Sequence, residues 1–503
     1  MELDGITQET LAMVQKAQTA GWTSGTGGVG IDLSGIVSLV PVFTPTRDAL
    51  SRVRAPEGNK VTQWRALLNI TNQQPSIFTG YDTTGSLVQT LEQDVYSGYV
   101  PIAMDGQVTQ DSIDIAKGYA DPMALQTLMV LNMLKVKEDQ ALATGGQAFA
   151  LPTIGTVVLS TGAPTSGLGF AGGNTGGSLP SGQAVYVRCQ PRSGFNYFNG
   201  GSGPASTIVN ATTASSTSNS TSVGAFVPAV KGAVAYDWFV GPNNTGSGYY
   251  YTTTTTNTVL ITSMPTTNQA LPTYELPLLF GTVPAVPTTT DTSFSTLSFN
   301  SILATILGDY GSNAIVTSGT GTSSGAYFLS ADGAKITVSG SSVPLLDQLN
   351  LAIFNSVQLS PDVYMMSAQQ ASDLSSGLLG TGLAPTFLDA SGGRQNVQGS
   401  GYVSQYLNKA FNGKAVRIEV HPGVPPGTII ARTDSVPFPA SNIGNVFEVR
   451  TLRDFAQFNY GVTRSPSSGP SGPREEFTIR SLETVVNRAP VSCGVISNIG
   501  ASE

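Results

Sequence analysis

Charge is what this sequence has least of. Asp, Glu, Lys and Arg together make up 11% of its 503 residues, against roughly 25% in an ordinary soluble domain. Histidine occurs once, at His421, and cysteine twice, at Cys189 and Cys493. A single histidine nearly excludes a His-based metal centre, and two distant cysteines support neither a disulfide framework nor a Cys-rich zinc site. Two free thiols are the expectation. Basic residues number 24 against 32 acidic ones, for a net charge of −8, the wrong sign for a surface that neutralises phosphates. No apolar run reaches membrane-spanning length: the best stretch, Leu125 to Leu134, is broken by Gln126, Thr127 and Asn132. The opening Met1-Glu2-Leu3-Asp4-Gly5 carries acids where an export signal carries bases. A soluble protein made in the cytoplasm is expected.

What is abundant is glycine, with 57 positions, and small polar residues, over an apolar content of 40%. That is enough to fill a core. A surface poor in charge is easily desolvated and suits extensive protein–protein contact, since interface cores are depleted in charged residues.

Along the chain, Gln8 to Ala20 has helical spacing and Gly21 to Gly30 is glycine-rich, which reads as an arm held by something else. Val61 to Thr71 and a region around Asp94 to Lys117 read as extended strands about a polar middle containing Gly80-Tyr81-Asp82. Together they predict a long hairpin projecting from the body. Asp121-Pro122 is a strong helix start, no breaker follows from Met123 to Thr144, and Gly145-Gly146 is the stop. Asn132, Lys135 and Asp139 form one polar stripe on this helix and the rest of its circumference is apolar, so burial on more than one side is expected.

Residues 151–290 hold only five charges: Arg188, Arg192, Lys231, Asp237 and Glu275. Short alternating segments at Gln183–Gln190 and Ala233–Val240, with β-prone Tyr249–Thr256 and Thr258–Thr262, give no helix signal and predict an immunoglobulin-like sandwich inserted in the chain. Helical spacing resumes at Phe294–Leu307, Pro344–Phe354 and Ala368–Leu378, around a short buried strand at Asp362–Met366. Gly380 to Gly399 reads as a loop. Strands are expected at Ala415–Val420, Thr428–Ala431, Phe447–Tyr460, Glu476–Val486 and Val491–Ile499.

No motif offers chemistry. His421 lies in Val420-His421-Pro422-Gly423 after a strand, without a nucleophile elbow, and predicts a surface turn. The Gly25–Gly30 stretch matches neither the phosphate loop nor the dinucleotide loop. Glu138 and Asp139, adjacent on a helix, point apart, and Glu475-Glu476 reads as a solvated turn. The sequons at Asn69, Asn210, Asn219 and Asn243 are compositional in an unexported chain. No catalytic, cofactor-binding or metal residue is assigned, and the expectation is a protein that is not an enzyme.

The order of elements carries more than any residue. An arm, a hairpin and a long helix ending Lys137-Glu138-Asp139-Gln140-Ala141-Leu142-Ala143-Thr144-Gly145-Gly146 precede a helix-and-strand domain and return strands. With Pro361-Asp362-Val363-Tyr364-Met365-Met366-Ser367, Arg480-Ser481-Leu482-Glu483-Thr484 and Gly494-Val495-Ile496-Ser497-Asn498-Ile499, this resembles the major capsid proteins of tailed bacteriophages with the HK97 fold. The likeness covers about residues 40–150 and 291–500.

The resemblance implies an α+β HK97-like fold: an N-terminal arm over 1–60, an E-loop hairpin over 61–120, the spine helix of a P domain over 121–150, the inserted all-β immunoglobulin-like sandwich over 151–290 as an outward decoration, an A domain over 291–445, and P-domain return strands with the C-terminal segment over 446–503. It implies self-assembly as hexamers and pentamers into the icosahedral shell enclosing a double-stranded DNA genome, with DNA held without sequence-specific binding, cement or decoration proteins and a portal as further partners, no membrane, and residence in the virion after assembly in the host cytoplasm. Cross-linked members use a lysine in the projecting loop. None lies between Lys60 and Lys117 here, which implies non-covalent stabilisation. With few residues before the arm, no separate N-terminal scaffolding segment is expected. Other readings are an encapsulin-like nanocompartment shell, a β-rich cell-surface or tail adhesion protein and, third, a hydrolase limited by its single histidine. No cofactor is expected.

Overall fold

The structure is a computed structural model. It describes residues 42–56, 58–69, 78, 80–84, 91–116, 121–161, 175–213, 222–243, 248–266, 290–307, 326–339, 342–380, 403–437, 444–463 and 473–500. The expected helix at 8–20, the Gly25–Gly30 stretch, most of the hairpin tip and the 380–399 loop lie outside these residues. The chain divides into two compact units, one of Met1–Thr44, Pro101–Glu138 and Arg453–Leu482, the other of Pro45–Val100, Asp139–Leu452 and Glu483–Glu503.

The chain runs through α1 (Pro45–Ala49) and β1 (Ser51–Arg54) into β2 (Val61–Asn69) and β3 (Leu91–Gly98), which pair antiparallel with Val61 opposite Gly98 and Gln63 opposite Tyr96. This is the expected hairpin. At its far side Asp82 takes a positive φ of 64° in a turn beside the exposed Phe78 and Tyr81. The region read as one strand over 94–117 is instead β3, β4 (Val100–Thr109) and a helix, α2 (Gln110–Ala116). Charged and polar residues spaced as in Gln110-Asp111-Ser112-Ile113-Asp114 carry no period-2 apolar signal, so a helical turn is compatible with them.

The root of the hairpin is anchored rather than free. Trp64, Ala66 and Val95 cluster with Val486, and Trp64 Nε1 donates 2.8 Å to the Asn487 carbonyl. Alternation then puts Val61, Arg65 and Tyr96 on the solvent side. Replacing Trp64 with Phe should cost about 1–3 kcal/mol, because it strands a buried acceptor. A thermal melt unchanged from wild type would show that this anchor contributes nothing.

Helix α3 (Pro122–Gln140) begins as expected: Asp121 Oδ1 accepts from the backbone N–H groups of Met123 and Ala124 at 3.0 and 3.1 Å. Its last turn widens into a π-helical segment over Ala141–Gly145 before Gly146 ends it. Burial on more than one side is not what a single copy shows, since Leu125 and Leu128 are more than half exposed. In the first unit α3 sets Val130 and Leu134 against Phe477 and Ile479.

The described residues between 158 and 261 hold eight strands, all but β6 in two sheets: β5 (Val158–Ser160), β6 (Thr175–Leu179), β7 (Ala184–Ser193), β8 (Val209–Thr212), β9 (Val223–Phe226), β10 (Ala233–Gly241), β11 (Tyr249–Thr254) and β12 (Thr258–Ile261). One sheet runs β11-β10-β7-β8 and the other β12-β9-β5. Val185, Val187, Tyr236, Trp238 and Val240 from the first meet Val223, Ala225, Val259 and Ile261 from the second in one apolar cluster. A helix also occurs here, α4 (Gly194–Asn199), which the sequence reading lacked. Ser193 and Asn196 close a capping box on it, a local polar signal rather than an apolar period. Strand β10 is buried along its whole length, on both faces. The block is therefore tied into its surroundings: Ser193 Oγ donates to the Ser293 carbonyl, and Asn257 Nδ2 to Asp332 Oδ1 at 2.8 Å.

Beyond it come α5 (Ile302–Leu307), β13 (Tyr327–Ser330), α6 (Pro344–Val357), β14 (Val363–Met366), α7 (Ala368–Gly380), β15 (Gln405–Asn408), β16 (Lys414–Val420), β17 (Ile429–Arg432), β18 (Phe447–Thr463), β19 (Arg474–Asn487) and β20 (Gly494–Ser497). The helix expected from Phe294 starts only at Ile302; Ser295 to Ser298 form a turn first. A six-stranded mixed sheet, β13-β20-β17-β14-β16-β15, sets Tyr364 and Met366 against Leu346, Leu349 and Ile353 of α6. The Val491–Ile499 segment is not one strand, because Pro490 opens a 3-10 turn before β20. Glu475 and Glu476 lie within β19 rather than in a turn, with Glu476 paired to Arg474 at 3.0 Å. The four-stranded sheet β1-β18-β19-β4 completes the fold.

Candidate functional site

The one histidine is the clearest correction to the sequence reading. His421 is fully buried, not on a surface turn. Its Nδ1 accepts from the Gly423 N–H at 2.8 Å, so the ring proton sits on Nε2. That atom lies 2.8 Å from Asp139 Oδ2, with the N–H off the direct line to the oxygen. Asp139 Oδ1 in turn accepts from the Arg47 backbone N–H at 2.7 Å, and Thr144 Oγ1 donates to the Gly423 carbonyl. The end of the long helix, α1 and the turn after β16 are thus knotted together. The turn comes so close that a Cβ on Gly423 would stand 3.0 Å from the Gln140 Cα, and one on Gly194 would fall 2.1 Å from the Thr144 carbonyl oxygen. Only glycine fits at either point.

A buried histidine beside one carboxylate is not a catalytic set. Among the described residues no nucleophile is paired with His421 Nε2, which faces Asp139, and Nδ1 is taken by the Gly423 N–H. Among the described residues no group of three or more His, Cys, Asp and Glu could hold a metal ion, and no helix is long and apolar enough to cross a membrane. Cys189 and Cys493 are free and buried. Burial pushes the Cys493 thiol up to about 11 and holds Cys189 well above its ordinary value, so neither is a ready nucleophile. Asp237 and Arg192, two of the five charges of the β block, form a buried pair 3.4 Å apart. Burial raises the Asp237 carboxyl, while Arg192 and the Thr253 hydroxyl pull it back down. These polar groups brace the fold.

Surface that water meets is more informative. Val61 (49% exposed) and Tyr96 (60%) share the open face of the hairpin root. Leu125 and Leu128, at i and i+3, share one face of α3. Phe458, Tyr460 and Val462 alternate with polar residues at the end of β18, all exposed. These are large side chains left in water by one copy, grouped on extended elements.

The chain is similar to phage capsid proteins. A cyanophage A-1(L) capsid chain matches over 95% of this chain and 98% of its own length, at 12% identity and a TM-score of 0.42. The capsid of a native GTA particle matches over 96% and 98%, at 7% identity and a TM-score of 0.40. The SrpI encapsulin of Synechococcus elongatus PCC 7942 matches over 97% and 96%, at 8% identity and a TM-score of 0.37. No family model and no curated protein matches.

Proposed function

We propose that this chain is the structural subunit of a closed shell, the major capsid protein of a tailed phage, and not an enzyme. The observation that carries this reading is the apolar surface on α3 and the hairpin: Leu125, Leu128, Val61 and Tyr96 lie open in a single copy, on a chain whose elements follow the capsid order. Extended elements bearing apolar faces serve a monomer poorly and become interfaces in a symmetric assembly. A net charge of −8 suits a container that encloses DNA without gripping it. On this reading 61–120 is the E-loop, 121–150 the spine, 151–290 an immunoglobulin-like insertion, 291–445 the A domain and 446–503 the return strands. Subunits gather as hexamers and pentamers in the virion, assembled in the host cytoplasm, with cement proteins and a portal as further partners.

Electron microscopy of the purified chain tests this. Uniform closed shells are expected as concentration rises. A protein that stays monomeric at hundreds of micromolar, or one that forms trimeric fibres, would overturn the shell in favour of the adhesion reading.

A further inference from the structure

The pair Asn-Gly occurs twice in this chain, both times after phenylalanine: Phe198-Asn199-Gly200 and Phe411-Asn412-Gly413. In such a pair the glycine nitrogen can reach the Asn side-chain carbonyl, because no Cβ on the glycine hinders the approach. The two sites share a sequence and differ in what surrounds them. At the first, each group that the attack needs is held. Asn199 Nδ2 donates to the Phe195 carbonyl at 3.0 Å. The Gly200 N–H donates to the Asn196 carbonyl at 2.9 Å, and the Gly200 carbonyl accepts from Asn196 Nδ2 at 2.8 Å. The next residue is packed as well, since a Cβ on Gly201 would stand 2.6 Å from Thr292 Oγ1.

The second site is open. Asn412 and Gly413 are exposed in the turn between β15 and β16, and a Cβ on Gly413 would meet nothing within 4 Å. The Gly413 N–H donates to the Asn408 carbonyl at 3.0 Å, an acceptor that it shares with the Phe411 N–H at 3.3 Å. No described residue holds the Asn412 side-chain amide. Surface bonds of this kind open locally at little cost.

We propose that Asn412 is a site of self-modification, deamidated by its own main chain. The Gly413 nitrogen bonds to Asn412 Cγ, the Cγ–Nδ2 bond breaks, and ammonia leaves with the proton of the Gly413 amide. Water then opens the five-membered imide at either carbonyl, leaving aspartate or isoaspartate at position 412. Either product adds a negative charge to the turn. Lys409 and Lys414 flank it, and their ammonium groups already lie beside Asp347 and Asp362 at 3.9 and 2.6 Å. Aspartate tolerates the positive φ of 48° found at this position. Isoaspartate lengthens the main chain by one carbon beside β15, the edge strand of the six-stranded sheet.

Incubating the intact wild-type chain at mildly alkaline pH and mapping its peptides by mass spectrometry tests this. Asn412 should convert about fivefold faster than Asn199, the factor that one net hydrogen bond is worth, with isoaspartate among the products. Conversion should quicken as pH rises, because the attacking amide must give up its proton. In the chain unfolded by denaturant the two sites should convert at similar rates, since their sequences match. Equal rates in the folded chain, or a faster Asn199, would overturn the assignment. So would a preference for Asn412 that is just as large in the unfolded chain, because it would owe nothing to the structure. Asn412→Gln must close a larger ring and should stay unmodified; conversion there at the wild-type rate would rule out attack by Gly413.

Discussion

Arg192→Met should destabilise the β block by about 3–5 kcal/mol, because it removes the cation from a buried pair and leaves Asp237 uncompensated. Thermal or denaturant melts followed through Trp238, which lies in the same block, would read the loss. The double variant Arg192→Met, Asp237→Leu should recover most of it, since an apolar pair of similar volume carries no desolvation penalty. A double variant no better than the single one would mean that Arg192 acts through packing alone. The pH dependence has a defined sign. Burial raises the Asp237 carboxyl in the folded state, so the folded chain binds this proton more readily than the unfolded chain does. Stability from this group is therefore gained as pH falls through the raised folded value towards the ordinary carboxylate range, and lost as pH rises again. Without Arg192 that carboxyl rises further, and the single variant should gain relative stability on acidification. A loss instead would contradict the assignment.

His421→Leu is the second large effect expected, again about 3–5 kcal/mol. It leaves the buried Asp139 carboxylate with the Arg47 N–H alone and removes the acceptor for the Gly423 N–H. The consequence for assembly should exceed the consequence for secondary structure, because the knot holds the end of the long helix to the turn after β16. Assembly yield and melting temperature measured together decide the matter: a variant with wild-type melting would show that the Asp139–His421 contact braces nothing. His421→Asn, which keeps a polar side chain beside Asp139, should lose less.

Much of the architecture was legible locally. Asp121 and Pro122 start the long helix where expected because a cap and a fixed φ act within a few residues. Hairpin strand 61–69 and the strands at 184–193, 233–241, 363–366 and 414–420 follow from alternation and β-branched content, which are also local, whereas the second hairpin strand expected over 94–117 is β3, β4 and α2. Helices α2 and α4 were missed because both are too short to show a helical apolar period: α2 is mostly polar, and α4 is fixed by one capping box and the burial of Tyr197 and Phe198.

The site residues divide along the same line. Composition determined that this chain has one histidine, two thiols and a charge-poor block, which leaves few residues for metal or nucleophile chemistry. It could not determine that His421 is buried, since the residues that enclose it are remote: the Thr144–Gly423 bond beside it joins positions 279 apart. Nor could it pair Arg192 with Asp237, which depends on β7 lying next to β10 in one register. Local free energies are written in neighbouring residues and can be read from them. Burial and charge pairing depend on which distant segments meet, and only the tertiary structure decides that.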